Sequence, residues 1–269
     1  MISCLIAGVC RRTQFLAIIV LIPIFLLMWG HEVFAADTIK VGMYRFPPFV
    51  DFNASGEPEG LSLDILNRLN EIQGDFRFEP VVTSPKTRYS DFSAGQFDMV
   101  LFENVDWGWT HRNLPVSQTP EFMSGGERYI ALAKPDRTQD YFDDLSNKAI
   151  AGIAGYHYGF ADFKDDPEYL RHQLGVRLLR RADDLIRAIV SGHVDIAVVT
   201  ESLLLKKIGS IPSLKEKLLV SDRYDQVYSH RVVLRTDMAL SVTDMSNFMD
   251  HLEIDPTYLA LIKNYRNKP

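Results

Sequence analysis

Residues 91–112 have the sequence DFSAGQFDMVLFENVDWGWTHR, which changes character twice. The part from Tyr89 to Gly95 is typical of the end of a helix, and Met99 to Phe102 is an apolar run short enough for a buried parallel strand. The chain then becomes polar and aromatic. Because loops at the carboxyl edge of a parallel sheet bind small ligands, we expect a pocket here. Its candidate residues are Glu103, Asp106, Trp107, Trp109 and Arg112.

A second segment, residues 186–201, repeats this pattern. It reads as a helix, Gly192-x-x-Asp195, the apolar strand Ile196 to Val199, and then Thr200-Glu201. Taken singly, Gly-x-x-Asp is only a helix C-cap followed by a strand, so Asp98 and Asp195 are interpreted as structural residues at strand starts. As a pair, the two copies predict two α/β lobes that each contribute a strand end to a shared cleft.

The N-terminus has the layout of a secretory signal peptide. Arg11 and Arg12 precede the apolar run Phe15 to Trp29, and Val33-Phe34-Ala35 follows as a cleavage site. The run has 15 residues, fewer than the roughly 20 that span a bilayer. Residues 1–35 are therefore predicted to be removed on export to the periplasm, with an uncleaved anchor as the alternative.

Composition narrows the function classes. A formal net charge of −6 without a basic cluster makes nucleic acid an unsuitable partner. Both cysteines, Cys4 and Cys10, lie in the predicted signal peptide, and the seven histidines show no metal-ligand spacing. No phosphate loop, dinucleotide fingerprint or Gly-x-Ser-x-Gly motif is present, so we expect neither a metal nor a cofactor, and no enzyme activity.

The first part of the chain predicts a parallel sheet. The pattern is a strand over Thr38 to Met43, an aromatic loop, an amphipathic helix over Leu61 to Ile72 and a strand over Phe76 to Val82. Strands separated by helices imply right-handed crossovers. Two prolines in the loop fix the backbone around Phe46.

The order of several short motifs resembles the bacterial extracellular solute-binding protein family 3, the periplasmic receptors of polar amino acid uptake. The resemblance covers essentially the whole mature chain. It rests on Phe46-Pro47-Pro48-Phe49, Gly56, Gly60, Asp64, Gly95-x-x-Asp98, Thr110-His111-Arg112, Ser117, Pro120, Asp144-Leu145, Lys148, Gly155, Asp184-Leu185-Ile186 and Gly192-x-x-Asp195.

This resemblance implies an α/β architecture, the type II periplasmic binding protein fold, in which two lobes joined by two crossing hinge strands close over a ligand. The crossings would be Gly125 to Lys134 and Tyr228 to Arg235. Lobe one would comprise residues 37–121 plus 231–269, and lobe two residues 122–230.

The resemblance also implies site residues. Arg112 matches the family's arginine that holds the ligand α-carboxylate, and a guanidinium can grip a carboxylate with two hydrogen bonds. Phe46 matches the aromatic residue that lines the pocket. The alternatives are a surface arginine at a helix start and a core phenylalanine.

The chain departs from the family in both lobes. Thr200, with Glu201 beside it, replaces the aspartate that receives the ligand ammonium, and residues 103–109 replace a small glycine-containing turn. Acids and tryptophans there suit a cationic or aromatic ligand, through charge pairing and cation–π contact. Alternatively, Trp107 and Trp109 belong to the lobe-one core.

In lobe two, a strand over Ala149 to Ala154 precedes Gly155-Tyr156-His157-Tyr158-Gly159 and a predicted helix. A helix N-terminus there would bind an anion beside Tyr156, and a plain tight turn is the alternative. The candidate ligand-binding residues are thus Arg112, Phe46, Glu103, Trp107, Trp109, Tyr156, Thr200 and Glu201.

The predicted function is a monomeric periplasmic receptor that captures a small polar solute, an amino acid or related amine or carboxylate, and delivers it to an ABC-type transporter permease. One alternative is a soluble sensor for a membrane signalling protein. Another is a dehydratase-like enzyme that uses Glu103, Asp106 and Glu201 as acids, since clustered carboxylates raise one another's pKa.

Overall fold

The structure is a computed structural model and describes residues 36–267. The predicted signal peptide, residues 1–35, and both cysteines lie outside the described residues. Within residues 36–267, no helix combines the length and apolar character needed to cross a membrane.

Strands and helices alternate along the described chain. The strands are β1 (Asp37–Met43), β2 (Asp51–Phe52), β3 (Pro58–Glu59), β4 (Phe76–Val82), β5 (Met99–Glu103), β6 (Val116–Gln118), β7 (Met123–Leu132), β8 (Ile150–Ile153), β9 (Arg177–Leu179), β10 (Ile196–Thr200) and β11 (Leu218–Arg235). The helices are α1 (Leu61–Ile72), α2 (Arg88–Ser93), α3 (Ala182–Val190), α4 (Glu201–Ser210), α5 (Leu214–Lys217), α6 (Val242–Glu253) and α7 (Pro256–Asn267).

Two parallel sheet segments are connected by long antiparallel strands. Along the sheet, the strand order of the described residues is β4-β1-β5-β11-β7-β10-β8-β9, and β6 pairs with β11. β1 is parallel to β4 and β5, and β8 is parallel to β10 and β9. β11 runs antiparallel to both β5 and β7, so this long strand belongs to both segments. The predicted α/β class and the passage of two strands between two lobes are confirmed.

The core is divided in the same way. One hydrophobic cluster, here called the first core, is drawn from residues 39–109 and 228–262. Two other clusters, together called the second core, are drawn from residues 129–218. Tyr156 packs against all three clusters. The boundary between the cores therefore passes close to this side chain.

Strongly periodic elements agree with the sequence. α1 and β4 both have the predicted bounds. In α1, Leu61, Ile65 and Leu69 form the buried face of an amphipathic helix. The structural role of the two strand-start aspartates is also confirmed. Asp98 Oδ2 accepts from the Lys40 backbone N at 2.8 Å, and Asp195 Oδ2 accepts from the Ala149 backbone N at 2.9 Å.

The predicted helix after Gly159 is wrong. Directly after this turn the chain forms a three-residue 3-10 helix, Gly159–Ala161, and a five-residue π-helix, Tyr169–Gln173, comes later. The Gly159 and Phe160 backbone N–H groups donate to the Asp225 carboxylate at 2.7 and 2.9 Å. The side chain of a distant strand thus occupies the donors that the sequence offered to a ligand anion.

Gly125 and Gly126, at the start of the predicted crossing Gly125 to Lys134, lie inside β7. A Cβ on Gly125 would come within 2.5 Å of the Tyr228 ring, and one on Gly126 within 2.6 Å of the Tyr224 ring. These glycines allow β7 and the aromatic side chains of β11 to approach closely.

Candidate functional site

A small cavity lies where the two cores meet, and we call it the cleft cavity. Its volume is about 20 Å³, which is room for about one water molecule. Its walls are Tyr44, Phe46, Arg88, Trp107, Glu127, Gly155, Tyr156, His157 and Gln226.

The aromatic loop after β1 supplies one wall. Gly60, at φ +115°, brings the start of α1 against this loop, and a Cβ there would lie 2.6 Å from the Phe49 carbonyl oxygen. The Ser62 backbone N donates to the same oxygen at 2.9 Å. Phe46 is held in this way beside Trp107 at the cavity.

Phe46 is the centre of an edge-to-face aromatic group. Its ring centroid is 5.9 Å from that of Trp107 and 5.6 Å from that of Tyr156, with interplanar angles of 87° and 82°. The Tyr156 hydroxyl donates to the Arg45 carbonyl oxygen at 2.9 Å. Three residues predicted to bind ligand are therefore brought together at the cavity.

Glu103 and Arg88 form a buried ion pair beside the cavity. Arg88 Nε lies 3.7 Å from Glu103 Oε2, and the Tyr44 hydroxyl donates to Oε2 at 2.7 Å. Burial raises the pKa of Glu103, while the charge of Arg88 and the Tyr44 hydrogen bond oppose that rise. The prediction placed Glu103 in an exposed loop, but it is the last residue of β5 and is fully buried.

The remaining donors of Arg88 are directed at oxygen atoms around it. Nη1 donates to the carbonyl oxygens of Pro85 and, at 3.1 Å, Gly155, and Nη2 donates to the Tyr89 hydroxyl oxygen. Burial lowers the pKa of Arg88, but the combined effects of Glu103, Tyr89, Tyr44 and Asp165 raise it above its ordinary value, so the guanidinium stays charged. Arg88 thus bonds a second-core loop while its charge is balanced within the first core.

Glu127 lies on the opposite side, on β7. Its side chain is buried, and Oε2 accepts a hydrogen bond from Gln226 Nε2 at 2.9 Å. Gln226 also donates to the His157 carbonyl oxygen at 2.6 Å and accepts from Trp107 Nε1 at 3.2 Å. Burial raises the pKa of Glu127 to about 8, with a smaller contribution from the charge of Asp225.

His157 is a neutral member of the wall. Burial lowers its pKa to about 3, and the charge of Arg88 acts in the same direction. Its Nε2 lies 3.6 Å from Asp165 Oδ2. The imidazole therefore carries no charge at neutral pH, and Arg88 is the cation at the cavity.

Arg112 does not line the cleft cavity. It ends the short 3-10 helix Thr110–Arg112, and its side chain is 36% exposed. Nη2 donates to both carboxylate oxygens of Asp165, at 3.1 and 2.9 Å, and Nη1 donates to the Gly108 carbonyl oxygen at 2.9 Å. The fork that is predicted to hold a ligand carboxylate grips an internal carboxylate here, and its role toward a ligand stays a prediction.

Trp109, Thr200 and Glu201 also lie outside the cavity wall. Trp109 is fully buried in the first core, where its ring centroid lies 4.9 Å from that of Tyr89. Thr200 is buried at the end of β10. Glu201 accepts from Arg128 Nε at 2.9 Å and lines a separate cavity of about 200 Å³.

The carboxylates proposed for a dehydratase-like site have separate surroundings. Glu103 pairs with Arg88, Glu201 pairs with Arg128, and Asp106 is exposed. Within residues 36–267, no group of three or more histidine, cysteine, aspartate or glutamate side chains is arranged to hold a metal ion.

Six wall residues were absent from the predicted ligand-binding set: Tyr44, Arg88, Glu127, Gly155, His157 and Gln226. The sequence offered one clue. Glu127 is an acid inside the run 123–132, which is otherwise built from small and apolar residues plus one arginine and one tyrosine. An acidic residue in such a strand requires a special environment.

Comparisons with known proteins identify the fold. No protein-family model matches the chain, and no curated protein matches it. Among solved structures, a histidine-bound substrate-binding protein of an ABC uptake transporter from Streptococcus pneumoniae aligns with a TM-score of 0.67 at 13% identity, covering 85% of this chain and 92% of that one.

Two further structures show the same architecture. A histidine kinase sensor domain with similarity to periplasmic binding proteins gives a TM-score of 0.64 at 19% identity, covering 87% of this chain and 97% of that one. An ancestral amino acid-binding protein, a precursor of cyclohexadienyl dehydratase, gives 0.64 at 16% identity, covering 86% and 96%. The chain therefore has the two-lobed type II periplasmic binding protein fold that was predicted.

Proposed function

We propose that the protein is a non-catalytic solute receptor whose two lobes close over a small polar ligand, an amino acid or related amine or carboxylate, at the cleft cavity. One observation carries the proposal: the walls of this cavity come from both cores and include a buried cation and a buried acid. We assign residues 37–121 plus 231–269 to lobe one and residues 122–230 to lobe two.

Direct contacts between the two sides support closure as the working motion. Arg88 of lobe one donates to the Gly155 carbonyl oxygen of lobe two, and the Tyr156 hydroxyl of lobe two donates to the Arg45 carbonyl oxygen of lobe one. Arg112 of lobe one also pairs with Asp165 of lobe two. Hinge closure moves rigid lobes around a few residues in the connecting strands. Here β7 and β11 are those strands.

The small volume of the cavity supports access by opening. Sites for small molecules enclose on the order of 300 Å³ or more, whereas the cleft cavity has about 20 Å³. A solute of amino acid size therefore enters when the lobes separate, and it takes volume that Phe46, Trp107 and Tyr156 otherwise fill.

The proposed setting is the periplasm, after removal of residues 1–35, and the proposed partner of the monomer is an ABC-type permease. A structural neighbour that is a substrate-binding protein of an amino acid ABC transporter supports this, with a TM-score of 0.62 at 18% identity. The similar histidine kinase sensor domain favours a second candidate, a ligand sensor for a membrane signalling protein. Transporter or kinase genes next to this one would separate the two.

The test is isothermal titration of the mature protein with a panel of the twenty common amino acids, diamines and organic acids, followed by small-angle scattering with each compound that binds. We expect at least one compound to bind at a single site and the scattering curve to match a compact, closed form. Mass spectrometry of compounds that co-purify identifies a ligand that the panel omits. If nothing binds, nothing co-purifies and the scattering never changes, the receptor proposal fails.

A further inference from the structure

Glu127 differs from two other carboxyl groups near the cleft, the buried Glu103 and the partly buried Asp225. Glu103 faces Arg88, and Asp225 accepts hydrogen bonds from the Tyr129 hydroxyl at 2.6 Å and from two backbone N–H groups. Glu127 accepts from the neutral Gln226 amide, and within residues 36–267 it takes part in no ion pair. A buried acid without a cation is costly unless it is protonated or finds a positive partner.

The side of the cavity that faces Glu127 suits a positive partner. Phe46, Trp107 and Tyr156 present three aromatic rings to the same small space. Aromatic rings attract ammonium groups through their quadrupole, and the attraction increases when the cation is desolvated. The combination of one unpaired acid and three rings is therefore complementary to a protonated amine.

Arg88 lines the same cavity but is not the positive partner of Glu127. Its donors are directed at Pro85, Gly155, Tyr89 and Glu103, and its charge is balanced by the Glu103 carboxylate. The Arg88–Glu103 pair is close to neutral as a unit. A ligand cation would thus experience Glu127 as the uncompensated group.

We propose that Glu127 binds a protonated amine of the ligand, with Phe46, Trp107 and Tyr156 packed around that amine. This inference rests on the proposed receptor function and adds the ligand class: an amine-bearing solute rather than a purely anionic or neutral one. It also assigns ammonium recognition to the strand β7, which passes between the lobes.

Binding of an amine at Glu127 has a consequence for protons. With a pKa of about 8, Glu127 is protonated in about nine molecules out of ten at pH 7. An ammonium group replaces that proton, so each binding event at pH 7 releases about 0.9 proton.

The tyrosines, the arginine and the histidine that face Glu127 do not change charge near neutral pH. Burial raises the pKa of Tyr129, Tyr156, Tyr158 and Tyr228 above its ordinary value, so these tyrosines stay neutral. Across the cavity, Arg88 stays charged and His157 stays neutral. Asp225 of β11, whose pKa burial raises from an ordinary value of 3.8, is the neighbouring carboxylate. Loss of the release in Glu127→Gln is therefore the observation that assigns the proton to Glu127.

The experiment compares wild type, Glu127→Gln and Glu79→Gln as mature proteins. Glu79 is an exposed acid on β4, so its variant carries the same chemical change away from the cavity. Probes are putrescine (amine only), L-ornithine (amine with an α-amino acid group) and glutarate (carboxylate only), together with any compound that the receptor panel identifies. Each titration is repeated in phosphate and in Tris at pH 7, because the difference in enthalpy gives the number of protons released.

We expect an amine-bearing compound to bind wild type and Glu79→Gln equally, with release of about 0.9 proton. Glu127→Gln should weaken this binding at least about 30-fold and abolish the release. A folded Glu127→Gln that keeps wild-type affinity for amines overturns the inference, as does a receptor that binds only glutarate or neutral compounds. In those outcomes the receptor function stands, whereas the absence of any ligand refutes both.

Discussion

His230 offers a direct test of how the aromatic centre of the fold is built. Its side chain is fully buried, and its ring centroid lies 4.7 Å from that of Phe49 and 4.9 Å from that of Tyr228. Burial lowers its pKa to about 3 from an ordinary value of 6.5. The imidazole is therefore neutral in the folded protein over the whole range in which an unfolded chain would protonate it.

The sign of the effect follows from linkage. The folded-state pKa of His230 is depressed, so between pH 3 and pH 6.5 the ring binds a proton only when the chain unfolds. The folded state is therefore most stable, with respect to this group, above pH 6.5, and it loses stability as the pH falls from 6.5 toward 3. pH 5 lies about 1.5 units below the ordinary pKa of 6.5, so protonation of this histidine in the unfolded chain lowers the unfolding free energy by about 2 kcal/mol. We therefore expect His230→Leu to remove about 2 kcal/mol of the loss that occurs between pH 7.5 and pH 5.

The assay is urea unfolding followed by circular dichroism at several pH values. The substitution itself carries a packing cost at every pH, so the quantity of interest is the change in the difference between variant and wild type. His157 and the acidic groups titrate in both proteins and cancel in that difference. His193→Leu, at an exposed position, is the control and should run parallel to wild type. Parallel curves for His230→Leu would show that burial does not hold this ring neutral.

Two further variants test closure and the predicted clamp. Gly155→Ala should keep the lobes apart and enlarge the radius of gyration measured by scattering with ligand, because its Cβ would lie 2.9 Å from the Pro85 backbone. The control is Gly175→Ala, because Gly175 also has a positive φ but has open space around it. An equal effect of both variants would refute the contact argument. Arg112→Ala should lower the unfolding free energy by at most about 1 kcal/mol, since the ion pair with Asp165 is exposed. The same variant should weaken the binding of ligands that carry a carboxylate. If Asp165→Asn weakens that binding equally in titration, Arg112 acts only through Asp165.

The parts of the fold that the sequence predicted correctly are those with local causes. The apolar spacing of Leu61, Ile65 and Leu69 defines a helix without reference to any partner. The same holds for the buried run that became β5. The helix expected after Gly159 ends within one turn, because Asp162 and Phe163 adopt left-handed backbone conformations with φ of +52° and +59°.

The site was harder to predict because its members meet only through tertiary packing. Glu103 appeared to be a loop acid, since nothing near it in sequence neutralises it, yet Arg88 and Tyr44 do so from other elements. Trp109 adopts the core position that was the alternative interpretation. Glu127 escaped attention because reasoning from strand ends does not consider the interior of a hinge strand.

The contacts that close the cleft also determine which ligands the closed form selects. Each hydrogen bond across it, such as Tyr156 to Arg45, contributes on the order of 1 kcal/mol. A solute that bonds one side alone wedges the lobes apart and loses these contacts. A solute whose amine reaches Glu127 while its body lies against Phe46 gains interactions on both sides, and only such differential interaction shifts the population toward closure. If Glu127 binds the amine as proposed, its position on β7 couples recognition of charge directly to a strand that passes between the lobes.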